Sequence, residues 1–176
     1  MTPQIRKSKN NEQKAQRRPN RHGCWDHLIV APLWPLHGVN LGTLLRTCEA
    51  AGACMYVPHY PWVPQALGKG YTISQRACVH WVRPNPLRWL EVQHERDDTD
   101  IIGVELADEA IRLADLKPAR QRTVMVLGHE KTGIPDEAMQ FLDQAVEIPM
   151  LGAGTTLNVA VAGSLVLYRL AGLSQL

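Results

Sequence analysis

Short apolar runs recur along this chain, each closed by proline, glycine or charged residues, and most are followed by a stretch with helical spacing. Residues 27–31 read as a buried strand that stops at Pro32 and Pro35. Residues 40–51 read as a helix, because Leu41, Leu44, Leu45, Cys48 and Ala51 fall at three- and four-residue steps and Gly52 ends the pattern. A strand at 54–57 completes a βαβ beginning. Beyond a Pro-, Gly- and aromatic-rich surface loop over 58–70, strands are expected at 79–82, 101–104, 123–127 and 145–148. Helices are expected at 71–77, 87–94, 107–115 and 135–142, with Pro135 suited to a first helical turn. This alternation admits an α/β domain built on a mostly parallel sheet flanked by helices.

At 176 residues, 45% of them hydrophobic, the chain is most simply one globular domain. Its longest apolar stretch, 157–168, carries Asn158 and Ser164 and is shorter than the ~20 residues a membrane span needs. With no secretory leader pattern at its start, a cytoplasmic protein with no membrane partner is expected. Cys24, Cys48, Cys54 and Cys78 form no Cys-x-x-Cys pair and have no histidine at zinc-site spacing, so reduced thiols and no metal are expected. The net charge of +2 conceals an asymmetry. Arg6, Lys7, Lys9, Lys14, Arg17, Arg18 and Arg21 stand against Glu12 alone, while the remainder has twelve basic and sixteen acidic residues. Residues 1–24 are therefore expected to form a basic arm, disordered alone, and residues 25–176 the folded domain. Such an arm suits nucleic-acid phosphates, and it equally suits mere solubility.

Three segments carry candidate chemistry. Gly128, His129, Glu130, Lys131, Thr132 and Gly133 lie between a strand and a helix, where backbone donors gather at the carboxyl edge of a parallel sheet. The segment matches neither common phosphate-binding glycine motif, and Glu130 is its informative side chain. Asn40, read as a helix N-cap, and Arg46 border the same edge. Finally a strand breaks at Pro149, passes through Gly152, Gly154, Thr155, Thr156 and Asn158, and resumes as an apolar helix.

Together these segments resemble the three motifs of the SpoU/TrmH family, RNA ribose 2′-O-methyltransferases of the SPOUT superfamily. Asn40, Gly42, Arg46, Thr47, Glu49 and Gly52 match the first. Leu127, Gly128, Glu130, Gly133 and Ile134 match the second. Ile148, Pro149, Met150, Gly152, Thr156, Leu157, Asn158 and Val159 match the third, with Thr156 in place of the family's usual serine. The resemblance runs from about residue 27 to 173. It implies a C-terminal deep trefoil knot, S-adenosylmethionine bound there mainly by main-chain groups, and a homodimer. By position it assigns cofactor contacts to Val104, Leu127, Gly128, Ile148, Met150, Thr156 and Leu157.

The resemblance also implies a catalytic role for Arg46. Arginine is a poor base, so Arg46 is read as a donor that stabilises the developing alkoxide, with an RNA phosphate taking the proton. Asn40 and Glu130 are expected to orient Arg46 or the ribose, and Asn158 and Thr156 to shape the site. Residues 40–49 and 128–135 especially resemble members that modify the D-loop guanosine of tRNA, so tRNA is expected ahead of rRNA. Lys69, Arg76 and Arg83 are expected to add to RNA binding. Two other classes remain: a silent RNA-binding protein that kept the knot, and a flavodoxin-like or Rossmann nucleotide-binding enzyme. Intact Arg46, Glu130 and Asn158 favour the methyltransferase.

Overall fold

The computed structural model describes residues 27–70, 78–83, 85–154 and 156–173. The basic arm, the expected helix at 71–77 and Arg76 lie outside them. In chain order the elements are β1 (Leu28–Pro32), α1 (Gly38–Ala51), β2 (Cys54–Pro58), α2 (Val63–Gly70), β3 (Val79–Val82) and α3 (Pro86–His94). They continue with β4 (Thr99–Val104), β5 (Ile111–Arg112), β6 (Arg122–Leu127), α4 (Asp136–Met139), β7 (Gln144–Glu147) and α5 (Val159–Leu170). The strands form one sheet in the order β3-β2-β1-β6-β4-β7-β5. Each of its pairings is parallel.

Strand alternation divides the core in two. Leu28, Val30, Met55, Val57, Met125 and Leu127 face α1, α2 and α5. Ile29, Ala31, Ile101, Val124 and Val126 face α3 and the Ile134–Ala138 region on the other side. Both faces are covered, which is why the central strands are near-continuous apolar runs. Each large aliphatic side chain fully buried here contributes about 1.5–3 kcal/mol. Gly163 lets α5 approach closely, since a Cβ there would press on Leu44 and Leu127. At the far end of α5, Arg169 donates to the carbonyls of Leu116 (2.6 Å) and Ala114 (2.7 Å).

Several elements depart from expectation. Residues 107–115 are not a helix. Ile111 and Arg112 pair with Val146 and Glu147 as β5, and a single 3-10 turn, Leu113–Asp115, follows. The apolar spacing there is too short to sustain a helix alone, and the open edge of β7 captures Ile111 while Leu113 and Leu116 enter the core. The expected loop over 58–70 contains α2, whose buried Val63, Ala66 and Leu67 follow helical spacing. Its Pro64 lies in the first turn, where proline is tolerated. Asn40 is not the N-cap of α1. His37 holds that position, and Asn40 lies inside the first turn. The expected 135–142 helix shortens to α4.

Candidate functional site

A parallel sheet delivers all its strand ends to one edge, and the register here puts Pro32, Leu127 and Val104 abreast, with Val104 also opposite Val146. Four of the seven expected cofactor residues, Val104, Leu127, Gly128 and Ile148, therefore gather at this edge. The pairing extends one step further, as the Leu33 amide donates to Leu127 (3.2 Å) and the Glu105 amide to Val146 (3.2 Å).

Above that edge the three motif segments are joined by hydrogen bonds. Asn40 Nδ2 donates to Glu130 Oε1 at 2.7 Å, and Asn158 Nδ2 donates to Asn40 Oδ1 at 3.0 Å. Asn40 is 6% exposed, so its amide, engaged on both sides, is satisfied by protein rather than solvent. Asn158 caps α5, its Oδ1 accepting from the amides of Ala160 (2.8 Å) and Val161 (3.3 Å). Glu130 accepts from the amides of Leu36 (2.7 Å) and His37 (3.0 Å), so a carboxylate from a distant loop serves the N-terminus of α1, where no cap side chain does.

The loop that carries Glu130 is closed by reciprocal amide-carbonyl bonds between His129 and Gly133, each 2.8 Å. Gly133 has φ +71°, the left-handed region that favours glycine. Gly128 is pressed by the backbone of Gly133 and Ile134, leaving no room for a Cβ. Glu105, which follows β4, holds the turn from the other side: its Oε2 accepts from the Ile134 amide at 2.7 Å. Sequence reading did not single out Glu105. The available signal was an acid immediately after an apolar strand at the same sheet edge.

Arg46 lies six residues after Asn40 on α1, about 9 Å further along the helix axis, and is exposed. Thr47, next to it, meets Ser164 of α5 at 2.9 Å. Thr156, Leu157 and Met150 sit on the exposed segment between β7 and α5. Leu157 and Met150 leave apolar surface uncovered, as do Leu151 on the same segment and Leu106 after β4. Apolar side chains, open main chain at Gly152 and a glycine turn at 128 suit an adenosyl ligand held largely by backbone groups. Arg83 is exposed beyond β3. No helix among the described residues is long and apolar enough to cross a membrane.

Partial burial works to raise the Glu130 carboxyl, but hydrogen bonds from His37, Asn40 and Leu36 outweigh it and hold the group below its ordinary value of 4.5. A depressed carboxyl contributes stability that is fully present above that ordinary value and is lost as pH falls through the lower folded value. Urea midpoints of the wild type and Glu130→Gln should therefore differ at neutral pH and converge well below pH 4.5. A gap that stays constant with pH would mean that the charge of Glu130 contributes nothing.

Residues 28–168 match the model of the SpoU rRNA Methylase family. The chain is 31% identical over 133 residues to the tRNA (guanosine(18)-2′-O)-methyltransferase of Escherichia coli K12, covering 74% of this chain and 56% of that protein. It is 33% identical over 138 residues to the 23S rRNA (guanosine-2′-O-)-methyltransferase RlmB of Bordetella pertussis, covering 74% and 53%. It thus spans about half the length of these two relatives. Its fold is similar to that of the SpoU methyltransferase AviRb from Streptomyces viridochromogenes in complex with AdoMet. The TM-score is 0.64 at 24% identity, covering 84% of this chain and 60% of that one.

Proposed function

The chain belongs to the SpoU rRNA methylase family, and from that premise we propose that it methylates the 2′-hydroxyl of an RNA ribose, with S-adenosylmethionine as donor and tRNA as substrate. The observation that carries this reading is the Glu130–Asn40–Asn158 chain of hydrogen bonds, which draws three distant motifs together at the sheet edge. When bound, the cofactor supplies a methyl already activated for transfer. Val104, Leu127, Gly128, Ile148, Met150, Thr156 and Leu157 would hold it. The remaining work for the protein is to position the ribose and manage one proton.

Arg46 is the group that meets the ribose. Its guanidinium donates toward the 2′-oxygen as negative charge develops there, and an RNA phosphate accepts the proton. Asn40, Glu130 and Asn158 are positioning residues: with their amides and carboxylate committed to one another and to backbone, they fix α1 against α5 and so set where Arg46 stands. Thr156 shapes the cofactor side with the hydroxyl that serine would otherwise supply.

We also propose that the segment after β7 completes a deep trefoil knot and that two copies of the chain pair. The first is supported by the path of the chain, which leaves β7 beyond β4 and returns as α5 against α1, and by the family. Pulling the termini apart should then stop short of the roughly 3.4 Å per residue that an unknotted chain reaches; full extension would reject the knot. The second is supported by α5, whose Ala160, Gly163, Val166, Leu167 and Leu170 are buried while Val161, Leu165 and Tyr168 form an exposed apolar stripe on its outer side. Leu165→Asp should shift the protein from dimer to monomer in light scattering, and a wild type that is monomeric at micromolar concentration would end that claim.

Incubation with labelled S-adenosylmethionine and separate cytoplasmic tRNA and rRNA pools tests the substrate. Label should enter tRNA, and deletion of residues 1–24 should weaken tRNA binding and flatten its salt dependence while cofactor affinity stays unchanged. The RlmB match supports the second reading, and label in rRNA alone would establish it over tRNA.

A further inference from the structure

Opposite the reaction edge, where β2 and β3 begin, three soft ligands converge that are far from zinc-motif spacing in the sequence. Met55 pairs with Val79 and Tyr56 with His80, so the same parallel register sets Cys54 across from Cys78. The period-two alternation of strands then places Cys54, Cys78 and His80 on one face. Cys54 Sγ and Cys78 Sγ are 2.9 Å apart, and His80 Nε2 is 3.1 Å from Cys78 Sγ. All three ligand atoms lie within 4.8 Å of one another. Neither sulfur is in a disulfide; Cys54 is buried and Cys78 half-buried. His80 is held in plane by Tyr56, which stacks on it at 4.4 Å and leans on Trp89 of α3.

We propose that Cys54, Cys78 and His80 bind one zinc ion that clamps the edge strand β3 to β2. Two thiolates and an imidazole are the ligand classes that select zinc, and tetrahedral bonds of about 2.3 Å set the two sulfurs about 3.8 Å apart. The observed separation reaches that value by side-chain opening of under about 1 Å, without a change of strand register. Binding releases the two thiol protons to solvent, and water completes the fourth position at this half-exposed site. Among the described residues β3 has a single strand neighbour, β2, so the clamp acts at an edge of the sheet. The site stands apart from the carboxyl edge and does not depend on the methyltransferase reading.

The test uses the full chain, reduced and stripped of metal. Added Co²⁺ should give thiolate-to-cobalt charge-transfer absorption and tetrahedral ligand-field bands that saturate at one equivalent and are displaced by Zn²⁺. Zinc should also shield the half-buried Cys78 from alkylation, read by peptide mass spectrometry, a measurement that needs no variant. Cys78→Ser and His80→Ala should lose the tetrahedral spectrum. Cys48→Ala should keep it, because Cys48 is buried in the opposite core layer, where burial pushes its thiol up and keeps it protonated. Octahedral cobalt with Cys78 still alkylated in the presence of zinc would overturn the proposal. So would a Cys54–Cys78 disulfide as the sole product, with no bound zinc in the reduced protein.

Discussion

Arg46→Ala should sharply slow methyl transfer while leaving S-adenosylhomocysteine affinity unchanged. Arg46 is exposed on α1, so its removal opens no cavity, and alanine is a better helix former at the same position. Stability should stay within about 0.5 kcal/mol of wild type. On the proposed mechanism what is lost is a cationic donor to the ribose oxygen as charge develops there, a loss of about 100- to 1,000-fold in kcat. Arg46→Lys should recover little of this, because an ammonium is a flexible point charge without the planar fork of a guanidinium. Isothermal titration with S-adenosylhomocysteine beside single-turnover kinetics separates the two effects. Turnover near the wild-type rate in Arg46→Ala would remove Arg46 from the chemistry.

Gly128→Ala should cost both stability and cofactor affinity. The new Cβ would run into main-chain atoms of Gly133 and Ile134, in a loop already closed by two 2.8 Å bonds between His129 and Gly133. Backbone cannot swing aside as a long side chain can, so the loop must move. An overpacking cost of about 1–3 kcal/mol is expected. Displacing the same loop also moves Glu130 and the end of β6, so S-adenosylhomocysteine binding should weaken by roughly tenfold or more, equivalent to about 1.4 kcal/mol. Gly152→Ala is the control for stability: a Cβ there meets nothing within 4 Å, and its urea midpoint should match wild type. Equal midpoints for both variants would mean that the turn at Gly128 is looser than its geometry shows.

Much of the site was legible because it is carried by short motifs with fixed local geometry. Asn40, Glu130 and Asn158 were recognisable one by one, yet their mutual hydrogen bonds depend on where the first turn of α1, the β6–α4 loop and the start of α5 meet. Sequence spacing does not reveal that meeting. For the same reason the expected role of Asn40 as a cap gave way to a buried amide three residues beyond the cap, His37. Glu105 escaped notice because its partner, the Ile134 amide, lies on another loop. The helix expected at 107–115 failed where tertiary pairing overrode a weak local period, since Ile111 gains more on the edge of β7 than in an isolated short helix. Helix α2 was masked by Pro64, Gly68 and Gly70, residues that usually punctuate loops but sit harmlessly at the ends and outer side of a short helix. The Cys54, Cys78 and His80 cluster was invisible to spacing rules because adjacent parallel strands, not a local turn, bring it together.

The measurement that bears most directly on the central claim is the position of the methyl group. RNA treated with the protein and S-adenosylmethionine would be digested to nucleosides and resolved by mass spectrometry. The expected product is a nucleoside from tRNA with its added methyl on the ribose fragment, strongly reduced when Arg46→Ala replaces the wild type. A methyl found on the base fragment would contradict the account, as would no methylated nucleoside from any RNA despite bound cofactor.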